Sequence, residues 1–441
     1  MIAISINIIF FLVCFLPYAL VTGPFIPDMF ISLISMLFLF ISFKLNLWNY
    51  YKIYFFKFFC LFYFIINLSS FFSENIFISL KTSLPYFRFG LFTLAVIFIF
   101  KNKKKFELFF LKNLILVILI LLLDGLIQFF FGYNMIGFVY KLLSLQIPNH
   151  YLLGSQNRIT SLFGDESLYG SYLVRLSPIF FYLILKFRFF NNFNILIFFI
   201  FIFSIFLAVI FSNERTALLL FLIFLSYNFI FQKKFKYFRI SIIILLIFSI
   251  LLIFNNKQLN YRYVITTKYL FYNLSKNEPK IQQIEKENLD TEKYNSPQNY
   301  LLLLKTSVSM FYDSPLVGKG VRSFKYLSAD NRFATEDNLG NIYFNSHPHN
   351  YYFQLLAETG LLGFVFIFFS LLFFLYKTFF HLNKKYYLKK NYEIILFSGF
   401  LFILWPITTT GNFFNNWLSI FNFLLLGIFF GNYYKNNYIK K

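Results

Sequence analysis

Charge, acid and cysteine are all scarce in this sequence, and each shortage excludes a class of protein. Only 13% of the 441 residues are charged while 59% are hydrophobic, against about a quarter charged in ordinary soluble domains. A chain of that composition cannot cover itself with a water-soluble surface. The two cysteines, Cys14 and Cys60, both fall inside apolar runs and offer neither a disulfide framework nor metal-ligand spacing. Acids number 18 against 40 Lys and Arg, a net charge of +22. Nucleic-acid binding would need those cations in one contiguous patch. Instead they form short clusters between apolar runs: Lys101 to Lys105, Lys186 with Arg188, Lys233 to Arg239, Lys384 to Lys390, and Lys435 to Lys441. That is the pattern of cytoplasmic loops under the positive-inside rule, so the partner is a lipid bilayer and not nucleic acid. The N-terminus has no basic region and no small-residue cleavage site, and reads as a retained first span.

Apolar runs long enough to cross about 30 Å of hydrocarbon recur along the chain, among them Leu114–Phe131, Phe193–Phe211 and Ile240–Phe254. The expected fold is an all-α membrane protein with about twelve transmembrane helices, near 3–20, 27–42, 53–72, 84–100, 113–132, 168–187, 193–211, 216–231, 240–254, 361–380, 392–409 and 416–432. Loops 21–26 and 410–415 contain no Lys or Arg, which places both termini in the cytoplasm. The chain divides into helices one to nine (1–254), a large, partly helical periplasmic loop (255–351) and helices ten to twelve (352–441). Within the loop, Ile281–Asn299 is polar and reads as mobile. Ser296-Pro297 reads as a helix start, and Leu301, Leu304, Val308 and Phe311 share one helical face. Asp313-Ser314-Pro315 ends that helix, and Gly318-Lys319-Gly320 reads as a flexible turn. A second outer segment, Gly132 to Ser167, carries Arg158.

Two of the four histidines lie in His347-Pro348-His349-Asn350. Asn350 suits an N-cap, which puts His349 at the mouth of a helix. The positive helix end disfavours imidazolium, so His349 is expected to stay neutral and able to accept a hydroxyl proton as a general base. On spacing alone, the two histidines suit interfacial caps or a weak metal site better than a catalytic role. Arg215, between two tightly linked spans, and Arg158, before span six, are candidates for holding phosphate, which guanidinium matches bidentately. Arg215 also suits a pair with Glu214 or with lipid headgroups. Arg175 and Arg88 read as structural, with Asp124 a partner within reach of Arg175 inside the membrane.

His349-Asn350, then nine residues, then Gly360-Leu361-Leu362-Gly363 resembles the signature of the O-antigen ligase and polymerase superfamily. Arg158 with Phe163-Gly164, Ser212 to Thr216, and Pro315-Leu316-Val317-Gly318-Lys319-Gly320 before Phe324 fit the resemblance in order. It implies transfer of a glycan from undecaprenyl-diphosphate to an acceptor hydroxyl on the periplasmic side of a bacterial inner membrane. It also implies His349 as base and Arg215 on the diphosphate, with no metal or other cofactor. His347, Asn350, Glu358, Gly360 and Gly363 are then supporting residues. Many members carry another arginine before the loop helix, where this chain reads Gln298-Asn299-Tyr300. Arg262, Lys305 and Arg322 are the candidates for that contact, and Arg158 is a further candidate for the diphosphate. A donor activated on the lipid suits a compartment without nucleotide sugars, and attack in a single displacement inverts the anomeric carbon. The expected enzyme is thus a metal-independent inverting glycosyltransferase of the ligase type, with lipid A–core as acceptor. A polymerase acting on carrier-linked repeat units is the alternative. A twelve-span transporter is a third reading, disfavoured because no half-repeat is evident.

Overall fold

The computed structural model describes residues 1–154, 158–187, 194–231, 236–265, 297–335, 342, 344–381, 392–406 and 411–438. Helices α1 (Ile2–Ala19), α2 (Phe25–Lys44), α3 (Tyr54–Phe71), α4 (Ile76–Ser83), α5 (Phe87–Asn102) and α6 (Phe106–Phe131) come first. They are followed by α7 (Met135–Leu142), α8 (Tyr169–Phe187), α9 (Asn194–Phe211), α10 (Arg215–Phe231), α11 (Lys236–Asn255) and the short α12 (Lys257–Asn260). After them come α13 (Pro297–Asp313), α14 (Phe324–Leu327), α15 (Tyr351–His381), α16 (Tyr392–Ser398), α17 (Phe400–Leu404) and α18 (Asn416–Tyr438). Among the described residues there is no sheet; isolated bridges join Tyr133 to Leu152 and Gly154 to Arg158.

Eight described helices or helix pairs are long and apolar enough to cross a membrane, and four shorter apolar helices accompany them. Burial sorts them into layers. From Phe89 to Phe100 every residue of α5 is buried, and α8 is buried almost all round. Helices without a solvent face belong at the centre of a bundle. Around α5 pack α18, α2, α1 and α3; around α8 pack α16, α9, α6 and α10. Close approach of α18 to α5 uses Gly427 and Gly431, where an added Cβ would meet Val96 and Phe100 at 2.7 and 2.8 Å. The outside is apolar: Phe58, Phe64, Phe130 and Phe373 are each more than half exposed. Such a continuous apolar exterior belongs against lipid.

The antiparallel pair α6 and α8 defines the two ends. With 26 residues, α6 is about 39 Å long, more than the hydrocarbon thickness of about 30 Å. At one end, buried Glu107 takes both Lys186 and Lys435, and Lys103 donates to Asn7 of α1 at 2.8 Å. Three basic clusters therefore meet at this basic end. At the other end, Gly125 packs under the Tyr169 ring. Here lie the turn between α9 and α10, residues 158–167, and the start of α15.

Several sequence expectations change. The apolar face proposed for α13 is not the buried one: Leu302, Leu303, Thr306, Ser307 and Met310 are buried, while Leu301 is exposed and Leu304, Val308 and Phe311 are half-buried. Hydrogen bonds make the small polar side chains cheap to bury, Thr306 to Thr335 at 2.9 Å and Ser307 to Leu303 O at 3.0 Å. The Gly318-Lys319-Gly320 turn is pinned: Lys319 and Gly320 N–H donate to Ala357 and Glu358 carbonyls, both at 2.9 Å. The expected mobility of Ile281–Asn299 lies outside the described residues for 281–296, as does Ser296 of the helix start, whereas 297–299 open α13.

Candidate functional site

Helix α15 begins with a local cap. Asn350 Oδ1 accepts the N–H groups of Tyr352 and Phe353 at 3.0 and 3.3 Å, and its Nδ2 donates to Pro406 O at 2.8 Å. His349 therefore stands just outside the helix N-terminus, half-buried, with φ 57°. Asn345 Oδ1 accepts Ser346 N–H at 2.6 Å, which orients its amide so that Nδ2 donates to His349 Nε2 at 3.0 Å. A ring nitrogen that accepts a hydrogen bond carries its lone pair there, so the pattern assigns the neutral tautomer with the proton on Nδ1. His347 lies beside it at 4.2 Å between ring centroids, its Nδ1 2.9 Å from Ser346 Oγ. The Tyr300 ring meets His349 edge-on at 5.2 Å and 78°.

Tyr300 leads from the histidine to the cations. Arg215 opens α10 after the tight turn Ser212–Glu214 and lies within electrostatic reach of Tyr300, Arg158, Tyr263 and Tyr261. Arg262 Nε donates to Asn213 O at 3.2 Å, and Tyr263 OH to Ile210 O at 2.9 Å, so both residues ride on the α9–α10 turn. Tyr263 faces Arg262, Glu214, Arg158 and Arg215, and burial pushes its phenol upward. Three arginines from separate parts of the sequence thus converge, and Tyr300, within electrostatic reach of Arg215, is in ring contact with His349. A cluster of this kind attracts a multiply charged anion, and guanidinium holds phosphate oxygens in pairs.

Glu214 is not paired with Arg215, the alternative that the sequence left open. It accepts Gly170 N–H at 2.6 Å, Ser171 N–H at 2.9 Å and Ser171 Oγ–H at 2.6 Å, at the start of α8. Burial pushes its carboxyl up to about 7, against the lowering effect of these hydrogen bonds and of Arg158.

The Gly360 motif builds the support. At Gly360 (φ 61°, ψ −158°) α15 is kinked. The broken helix opens its backbone to the Pro315–Gly320 turn: Leu361 N–H donates to Pro315 O at 2.8 Å and Leu362 N–H to Leu316 O at 3.2 Å. An added Cβ on Gly318 would meet the Glu358–Gly360 backbone at 2.5 Å, and one on Gly360 would meet Leu316 O at 2.4 Å. Buried Glu358 accepts Gln354 Nε2 at 3.0 Å and Phe324 N–H at 3.3 Å. Gly363 packs against the Thr359 side chain. Arg322 is exposed, with φ 65°, and its N–H is directed at Glu358. It belongs to this support, whereas Arg158, Arg215 and Arg262 gather around the α9–α10 turn and Tyr263. Lys305 is exposed on α13.

Arg88 pairs with Asp28, a structural role as expected. Asp124 is not the partner of Arg175: it takes Ser161 Oγ–H and Met135 N–H. Arg175 is buried within electrostatic reach of Tyr351. Sequence reasoning missed Tyr300, Tyr261, Tyr263 and Asn345. The only local signals were the Tyr-Arg-Tyr run around Arg262 and an amide four residues before His349.

Fold and site together define a multi-pass helical membrane protein with an arginine- and histidine-bearing site at one end. The family model described as O-antigen ligase matches residues 196–368, a stretch that contains Arg215, Arg262, Arg322 and His349. The match is consistent with the O-antigen ligase and polymerase superfamily, with glycan transfer in general and with a bacterial membrane location. Arg158 precedes the matched stretch. No curated protein matches the chain.

Proposed function

We propose that the protein transfers a glycan from undecaprenyl-diphosphate to a sugar hydroxyl on the periplasmic face of the inner membrane, as an O-antigen ligase with lipid A–core as acceptor. One observation carries this reading: Arg158, Arg215 and Arg262 converge, and Tyr300, in ring contact with His349, lies within electrostatic reach of Arg215. The arginines hold the diphosphate. The acceptor hydroxyl takes the place of the Asn345 amide at His349 Nε2 and gives up its proton there. Its oxygen bonds to the anomeric carbon as the bond from that carbon to the diphosphate breaks. The leaving oxygen keeps the electron pair, and the fixed guanidiniums stabilise it. No step is assigned to a metal. The architecture that suits this reading has about twelve spans, cytoplasmic termini and residues 255–351 outside the membrane between spans nine and ten.

The test uses the protein in nanodiscs with a synthetic lipid-diphosphate donor. His349→Ala should reduce kcat by about 10²- to 10⁴-fold, and Arg215→Ala should raise donor KM. Product retaining the donor's anomeric configuration would sink the single displacement. In a deletion strain, long chains missing from the core but retained on the carrier indicate a ligase. A core bearing one repeat unit indicates the polymerase instead.

A further inference from the structure

Helix α6 carries two fully buried polar side chains, Asp124 and Gln128, about one turn apart. The mechanism uses neither. Gln128 Oε1 accepts the N–H groups of Thr160 and Ser161 at 2.9 and 2.6 Å. Its Nε2 donates to Leu152 O at 2.8 Å and to Thr160 Oγ1 at 3.3 Å. Asp124 accepts Ser161 Oγ–H and, at 2.7 Å, Met135 N–H. Asn134 Nδ2 donates to Ser161 O at 3.0 Å. The chain is thus pinned on both sides of Arg158, at Leu152 and at Thr160–Ser161. Gly154 and Arg158 exchange both backbone hydrogen bonds, at 2.9 and 3.3 Å.

No helix or sheet carries the Arg158 backbone, and these bonds to α6 fix the segment on which it sits. Ser161 holds a left-handed φ of 54°, a conformation that persists in a non-glycine residue only where the surroundings over-determine it. Placing a carboxyl and an amide inside a membrane helix is costly unless every polar atom is paired. An apolar contact would anchor the segment as firmly but would not fix one register.

We propose that Asp124 and Gln128 are positioning residues for Arg158: by pinning Leu152 and Thr160–Ser161 they hold its guanidinium beside Arg215, where the donor diphosphate binds. This rests on the reading that Arg158 contacts the diphosphate.

The test measures donor KM and kcat of the full-length protein in nanodiscs. Gln128→Leu and Arg158→Ala should each raise donor KM, by roughly ten- to a hundredfold, with a smaller effect on kcat. The double variant should be no worse than Arg158→Ala alone, because both changes remove one interaction. Asp124→Asn keeps an acceptor for Met135 N–H and donates to Ser161 Oγ, so its KM should return near wild type while Asp124→Ala stays high. Multiplying losses in the double variant, or an Asp124→Asn as poor as Asp124→Ala, would overturn the proposal. Should Gln128→Leu not fold, Gln128→Asn, one methylene short of Thr160, takes its place with the same expectations. An Arg158→Ala variant with unchanged donor KM would instead defeat the underlying reading of Arg158.

Discussion

Glu214 sits close to Arg158 and is buried in protein, two surroundings with opposite effects on a carboxylate. Three donors at the start of α8 favour its ionised form, yet desolvation prevails and pushes the carboxyl up to about 7. Arg158, Tyr169 and Tyr263 are the charged and titratable groups facing it. A folded value above the ordinary one means that between about 4.5 and 7 the folded protein holds a proton that the unfolded chain has released. The stability this group contributes is therefore present at low pH and lost as pH rises through 7. The same titration bears on binding. Ionised Glu214 attracts Arg158 and competes with a diphosphate for it, whereas neutral Glu214 leaves the guanidinium to the ligand. Donor KM should be lower at pH 6 than at pH 8, and Glu214→Gln should flatten that dependence. Initial-rate measurements across the range check it, and a KM that rises as pH falls would refute it.

Between α13 and α15, two backbones touch without side chains between them. Gly360 adopts φ 61° and ψ −158°, a region that residues with a Cβ do not enter at low cost, and Gly318 at φ 70° faces it. Gly360→Ala should therefore destabilise the protein by about 1–3 kcal/mol from backbone strain alone, with more from the contact on Leu316 O. Gly363→Ala should cost less, since Gly363 is not at positive φ and its penalty comes from the contact with Thr359 without backbone strain. Thermal unfolding in detergent of both variants gives the comparison; equal losses would mean that the kink is not what the motif protects. These elements also mark how far the sequence could be read. Asn350 as a cap was legible because its partners lie two and three residues away. The positions of the apolar helices were legible because a bilayer demands long apolar runs. The buried face of α13 was not, since near lipid an apolar residue need not point inward, and Leu301 and Tyr312 do not. Arg158, Arg215 and Arg262 lie more than forty residues apart in sequence, so only tertiary packing could show that they meet.

Across the whole molecule, charge is divided between the two ends. Glu107, Lys186, Lys435 and Lys103 mark one, and the arginine–histidine site marks the other. A bundle with this asymmetry should insert with its basic end in the cytoplasm, which puts the site on the side where lipid-diphosphate donors are presented. Single cysteines test this directly. With Cys14 and Cys60 replaced by serine, Lys52→Cys and Lys104→Cys should stay unlabelled by a membrane-impermeant maleimide applied to spheroplasts. Tyr312→Cys and His150→Cys, at exposed positions toward the site end, should react. All four should react once the membrane is permeabilised, which separates orientation from burial. The reverse pattern would place His349 and the three arginines in the cytoplasm. Nucleotide-activated sugars are available there, so a site built to take a glycan from a lipid diphosphate would lose its rationale, and the proposed reaction with it.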